Sequence, residues 1–170
     1  PLFAAAALAI TTFFIDIEHY LIPDLTTYPV IFFSVFMSLL FPEAYGFKKN
    51  PDAFIFSFSG LFISFTFMAF FSVIGKKIFK KDALGWGDVK YLAAIGASFG
   101  LPGAFFSLLF ASLIGSFFGI FLVLIKRKKI SAVIPFGPFL SVSSIIWIFL
   151  DKKIIAMYFN LSDFLKTLVH

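Results

Sequence analysis

Gly85-Trp86-Gly87-Asp88-Val89-Lys90 opens a long apolar stretch, residues 89–101, which breaks at Leu101-Pro102-Gly103 and resumes over 103–125. A carboxylate at the mouth of such a stretch is expensive in hydrocarbon, so Asp88 is read as part of a functional site and not as a solvated surface charge. At 1.5 Å per residue the helix 89–101 covers about 20 Å, against a hydrocarbon core of about 30 Å. Its start, with Asp88, is therefore expected below the membrane surface. Gly85 and Gly87 let non-helical backbone reach that depth, which is tolerated where the backbone lines protein or a water cavity.

The rest of the composition agrees with a membrane protein. The chain has 170 residues, of which 61% are hydrophobic and 21% aromatic, with 29 Phe. Its mean hydropathy is +1.02. A soluble domain of this size cannot hide that much apolar surface. Cysteine is absent, so no disulfide framework and no thiolate metal site is expected. The start at Pro1, in a run (2–15) shorter than the roughly 20 residues of a spanning helix, reads as a piece of a longer protein. That run lacks the basic region and cleavage site of a secretory signal.

Six apolar segments are marked: 2–15, 27–41, 53–75, 89–101, 103–125 and 132–150. The expected fold is all-α, a polytopic transmembrane helix bundle of about six spans, with residues 1–170 as one membrane-embedded domain. A C-terminal amphipathic tail, 151–170, places Ile154, Ile155, Tyr158, Phe159, Leu161 and Leu165 at helical spacing, as for a helix lying on the bilayer. If every segment crosses once, loops 16–26, 76–88 and 126–131 share one side. That side carries Lys76, Lys77, Lys80, Lys81, Lys126, Arg127, Lys128 and Lys129, with Lys90 just inside the next helix. The other side carries Lys48, Lys49, Lys152, Lys153 and Lys166. The positive-inside bias makes the first side cytoplasmic. The net charge of +5 is then a topology signal, with no nucleic-acid partner needed.

The same assignment gathers Asp16, Asp24 and Asp88 on the cytoplasmic face. Two carboxylates held close share one proton, because two like charges at short range are costly together. An ionised member takes a proton from water while its protonated partner polarises a scissile carbonyl, the chemistry of acid–base hydrolysis of a peptide bond. Asp16 as a helix cap and Asp88 as an N-cap to Val89 is the equally weighted reading. Glu18, His19 and Asp24 form a polar group near Asp16; with His170 the one other histidine, metal ligation is disfavoured. No serine is visibly paired with His19 for nucleophilic catalysis. Gly96 and Gly100, then Gly115 and Gly119, repeat a four-residue spacing that lets helix backbones approach closely. Pro135 and Gly137 in Ile134-Pro135-Phe136-Gly137-Pro138 read equally as a helix-start turn and as a wall beside Asp88.

Three motifs in order, Asp16-Ile17-Glu18-His19-Tyr20-Leu21-Ile22-Pro23-Asp24, Gly85-Trp86-Gly87-Asp88-Val89-Lys90 and Ile134-Pro135-Phe136-Gly137-Pro138, resemble those of the type IV prepilin peptidases, membrane aspartyl proteases of the GxGD type. The resemblance covers almost the whole chain. It implies cleavage of the short basic leader of prepilins or pseudopilins at the cytoplasmic face of a bacterial or archaeal inner membrane. Asp16 and Asp88 would be the catalytic pair, with Glu18, Asp24, Gly85, Gly87, Lys90, Pro135 and Gly137 binding substrate or supporting the site, and no metal. The interval from Asp16 to Asp88 is longer than the family leads one to expect, and the extra residues are placed in loop 42–52. Many members also N-methylate the new terminus with S-adenosylmethionine and carry an N-terminal cytosolic portion with a Cys-x-x-Cys zinc motif, which this cysteine-free chain lacks. Proteolysis itself implies no cofactor. Asp16, Glu18, Asp24 and Asp82 would offset the lysines that repel a basic leader. A small proton-coupled transporter or channel is the alternative for membrane carboxylates, although no internal repeat is visible; a secretion-assembly scaffold would leave both aspartates without a task.

Overall fold

The computed structural model describes residues 2–79, 85–125 and 135–150. The expected tail at 151–170, the basic cluster 126–129, Lys80, Lys81, Asp82 and Ile134 lie outside the described residues. Every regular element among the described residues is helical: α1 (Leu2–His19), α2 (Asp24–Leu40), a short 3-10 turn (Pro42–Tyr45), α3 (Asn50–Phe79), α4 (Trp86–Leu124) and α5 (Gly137–Leu150). Three helices, Leu2–His19, Asn50–Ile78 and Trp86–Leu124, are long and apolar enough to cross a bilayer; α2 and α5 are shorter apolar helices.

Several boundaries shift from the sequence reading. Helix α1 runs on past residue 15, so Asp16 lies in its last turns, not in the following loop. It ends at Tyr20, whose φ of 55° is left-handed and whose N–H donates to the Asp16 carbonyl at 3.0 Å. A left-handed residue closes a helix in this way, at a cost of about 1–3 kcal/mol when it is not glycine. After the extended Pro23, α2 begins at once. The Pro23 carbonyl accepts from the Thr26 and Thr27 N–H groups at 3.2 and 3.3 Å, and from their hydroxyls at 2.8 and 3.1 Å. The break in the fourth apolar stretch falls at Gly100 (φ 66°, ψ −173°), one residue earlier than the Leu101-Pro102-Gly103 sequence suggests. A β-carbon there would strike the Phe56 ring.

Beyond Gly100 the second arm of α4 turns back. Gly103 lies against Trp147 near the end of α5, whereas Gly115 lies against Phe139 near its start. The second arm therefore runs antiparallel to α5. Phe106 and Phe118 repeat the register through rings 5.2 Å from Trp147 and 5.6 Å from Phe139. Of the expected loop 42–52, residues 50–52 belong to α3, and residues 41–49 join α2 to α3 at the end of α2 away from Asp24. That connection is built from the 3-10 turn and a left-handed Gly46.

Size sorts the side chains. The buried positions are largely small, including Ala9, Ala53, Ala94, Ala97, Ala111, Ser34, Ser57, Ser98, Ser107 and Ser141. The exterior is aromatic, with Phe3, Phe32, Phe62, Phe70 and Phe117 all exposed. Such an outside suits lipid, and a small-residue inside lets backbones approach where burial of apolar area supplies little drive. Among α1 to α4, the α3–α4 interface is the most extensive. At its centre a β-carbon on Gly60 would collide with the Gly96 carbonyl, and one on Gly96 with the Gly60 carbonyl. Serines add polar bonds: Ser57 on α3 donates to the Ala97 carbonyl of α4 at 2.7 Å, and Ser34 on α2 and Ser98 on α4 share a bond of 2.9 Å. Tyr45 hydrogen-bonds the Ser34 carbonyl from the 3-10 turn. Replacing Gly96 or Gly60 by Ala should therefore destabilise the bundle by about 1–3 kcal/mol. The loss would be read as a lower midpoint in detergent thermal unfolding, with Gly115→Ala as the milder comparison.

Candidate active site

The end of α1 and the starts of α2, α4 and α5 meet at one end of the bundle. Between them lies a cleft of about 490 Å³ lined by Asp16, Tyr20, Leu21, Ile22, Asp24, Gly85, Trp86, Gly87, Asp88 and Lys90. Residues 72 positions apart in sequence, Asp16 and Asp88, thus share one wall-to-wall space, and their carboxylates are close enough to repel one another. Asp16 is buried, at 5% exposure, while Asp88 is half-buried.

The Asp16 carboxylate is aimed by backbone, and Asp88 is placed by the turn that opens α4. The Gly137 N–H, at the first residue of α5, donates to Asp16 Oδ2 at 3.0 Å. A helix N-terminus offers unpaired N–H groups in just this direction. Asp88 stands in the first turn of α4, where its N–H donates to the Gly85 carbonyl at 3.1 Å. No side chain caps that helix, and extended Gly85 holds the cap position. The reading of Asp88 as an N-cap is thereby displaced.

The motif glycines are explained by close approach. A β-carbon on Gly137 would lie 2.6 Å from Asp16 Oδ2, and one on Gly85 3.2 Å from Asp88 Oδ2. One on Gly87 would lie 2.9 Å from Ile22 Cβ. Ile22 also reaches Gly137, where its Cδ1 stands 3.1 Å from the position a β-carbon would take. This isoleucine is 7% exposed and packs between the turn that carries Asp88 and the turn that orients Asp16. Sequence reasoning passed over it, because one apolar residue inside a polar stretch carries no periodic signal.

Asp24 has a different environment. The Lys90 ammonium donates to its Oδ1 at 2.6 Å and stands 5.4 Å from the centroid of the Tyr28 ring. Asp24 therefore enters the cleft as half of an ion pair, whereas Asp16 is held by backbone. Glu18 and His19, grouped with Asp16 by sequence, are exposed and pair with each other at 3.8 Å; neither lines the cleft. Pro135 is half-buried and precedes the turn into α5 without lining the cleft. Trp86 and Tyr28 were not singled out by the sequence, yet one lines the cleft and the other supports its lysine.

A family model described as the type IV leader peptidase family matches residues 3–120, which include the first two motifs and the cleft residues they supply. The chain belongs to the type IV leader peptidase family. Among curated proteins it is similar to one named prepilin leader peptidase/N-methyltransferase from Aeromonas hydrophila, 36% identical over 136 residues, covering 79% of this chain and 43% of that protein. Proteins of the same name from Legionella pneumophila (31% over 160 residues, 92% and 53%) and Pseudomonas aeruginosa strain PAO1 (26% over 152 residues, 88% and 49%) are similar as well. The chain spans about half the length of these curated relatives. No solved structure gives a significant match.

In this leader peptidase family member the cleft geometry can be read chemically without any substrate. The chain contains no cysteine, so the double substitution Ile22→Cys and Gly87→Cys puts the one thiol pair of the protein at the centre of the site. The 2.9 Å separation is slightly tighter than a disulfide's usual Cβ–Cβ distance of about 3.5–4.5 Å, a gap that a small shift of the Gly87 turn closes. Mild oxidant should cross-link the pair quickly and within one chain, seen as a mass loss of two hydrogens, while either single cysteine should give no internal bridge.

Proposed function

We propose that the chain is the peptidase portion of an aspartyl endopeptidase that removes the basic leader of type IV prepilins or pseudopilins. The observation that carries this reading is the pairing of Asp16 and Asp88 in one cleft at one end of an apolar bundle, with Asp16 oriented by the Gly137 N–H. We place that end at the cytoplasmic face of a bacterial or archaeal inner membrane. Six crossings follow if α1, α2, α3, the two arms of α4 and α5 each traverse once. The basic residues 76 and 77, near the end of α3, support that orientation through the positive-inside bias.

The reaction uses the pair in turn. An ionised carboxylate takes a proton from a water held between the two, and the hydroxide so formed attacks the scissile carbonyl carbon. The protonated partner donates to the carbonyl oxygen, giving a neutral tetrahedral intermediate. On collapse the carbon–nitrogen bond breaks, and a proton from the pair goes to the departing amine. No covalent enzyme intermediate forms, and the two residues act as one coupled acid–base unit. Gly137 holds Asp16 in place for this, and Gly85 leaves room for the Asp88 carboxylate. Hydrolysis by the pair calls for no cofactor; S-adenosylmethionine would belong to the N-methyltransferase activity in the relatives' names, if the whole protein shares it.

The decisive experiment is cleavage of a prepilin in membranes. Asp16→Asn and Asp88→Asn should each abolish cleavage while accumulating normally. Gly137→Ala, which crowds the Asp16 carboxylate, should lower kcat by roughly 10- to 100-fold. Cleavage that survives both Asn substitutions would overturn the aspartyl mechanism, and aspartate-dependent proton flux without cleavage would favour a transporter.

Leader recognition carries its own test. Asp24 is neutralised by Lys90 and Asp16 is buried, so exposed Glu18, in the last turn of α1, is the acidic side chain of residues 16–24 left to meet a basic leader. Glu18→Lys should raise KM more for strongly basic leaders than for weakly basic ones. An exposed charge acts modestly and is screened by salt, so the difference should shrink as ionic strength rises. Equal loss across leaders would count against this role.

A further inference from the structure

Residues 20–23 lie across the cleft under restraint. Tyr20 is left-handed, Leu21 is exposed, Ile22 is driven between Gly87 and Gly137, and extended Pro23 immediately precedes the next helix. A short segment with a strained residue at one end stays in place when both ends are fixed. One end is fixed covalently by α1, whose last turns carry Asp16. The other end is fixed by α2, whose first residue, Asp24, is also joined through its carboxylate to Lys90, two residues beyond Asp88 on α4.

We propose that Lys90, Asp24 and Tyr28 form a tether that clips residues 21–23 over the cleft, keeps Ile22 seated, and thereby sets the spacing of the Asp16 and Asp88 carboxylates. Asp24 and Lys90 are then positioning residues for the proposed hydrolysis, on which this inference rests, and not a third acid or a docking point for the leader.

Three observations converge on the tether. The ion pair at 2.6 Å joins the first residue of α2 to the first turns of α4, the two elements that flank the cleft. The Lys90 side chain is 22% exposed and its ammonium stands over Tyr28, one helical turn beyond Asp24, so a single cation is held by a carboxylate and a ring face from the same helix. The load is carried by Ile22: the positions of its contacts, at Gly87 and Gly137, are the neighbours in sequence of Asp88 and the hydrogen-bond donor to Asp16. Withdrawal of Ile22 would leave the two turns free to move relative to one another. Displacements of that order, about 1 Å, are enough to cost a reaction 100-fold.

Charge exchange tests the idea. In the full chain, Asp24→Lys and Lys90→Asp should each lower kcat roughly 10- to 100-fold with KM for a prepilin nearly unchanged. The double variant Asp24→Lys with Lys90→Asp should recover most of the loss. A rise in KM that tracks leader charge, or a double variant no better than the singles, would overturn the proposal. A second readout needs no substrate. Ile22→Cys in the otherwise cysteine-free chain should react slowly with a maleimide, and adding Asp24→Asn or Lys90→Met should speed the reaction severalfold, with the thermal midpoint little changed. Unchanged labelling would sink the tether even if the protein cleaves prepilins. Faster labelling in a protein that cleaves nothing would leave the tether standing and remove the proteolytic reading instead.

Discussion

Backbone proximity at the crossing of α3 and α4 is the constraint from which the rest of this structure follows. In hydrocarbon, two helices gain little by burying leucine or phenylalanine against each other, because lipid offers the same contacts. Association must come from approach close enough for backbone dispersion and polar bonds, and Gly60 and Gly96 provide the approach by having no β-carbon. Ser57 then donates to the Ala97 carbonyl, a bond that a wider separation would break. The phenylalanines, far more numerous, are left outside where their bulk meets lipid. The first arm of α4 is held firmly along its length, and its opening turn, with Asp88, becomes a fixed wall.

The site inherits that rigidity from one side and is closed from the other by short polar links. Gly137 N–H to Asp16 Oδ2 joins α5 to α1 across 121 residues. Ile22 fills the space between the two glycine turns, and the Lys90–Asp24 pair spans the cleft mouth. None of these links is strong alone, since a neutral or exposed polar bond contributes only about 1 kcal/mol. Together they join the elements that bring the two carboxylates into one cleft. A hydrolytic pair needs such confinement, because the carboxylates must keep one proton and one water between them.

Much of this was legible in the chain. Composition required a membrane bundle, and the glycine-flanked Asp88 at the start of an apolar helix marked the functional end. Asp16 was nominated by its place at the end of the first apolar run. The family resemblance preferred Asp16 to Asp24, whereas position in the chain alone did not, as both are aspartates in one polar segment. Their neighbours in space add a physical distinction: a backbone N–H for Asp16 and a lysine for Asp24. Glu18 shows that nearness in sequence does not decide placement: it is two residues from Asp16 yet exposed and outside the cleft, because residues two apart on a helix face different directions.

Helix type and the apolar class of the bundle were therefore properties of the sequence by itself, since hydropathy and the need to satisfy backbone bonds within each segment act locally. The break near Pro102 was foreseen, but the reversal at Gly100 depends on φ and on the Phe56 ring packed beneath it. The roles of Ile22 and Tyr28 belong wholly to tertiary structure, and Gly137, which the sequence did single out, gains its partner Asp16 only there. An isoleucine, a tyrosine and a glycine have no chemical signature of function; they acquire one when helices distant in sequence bring a carboxylate, a lysine and a second glycine turn against them.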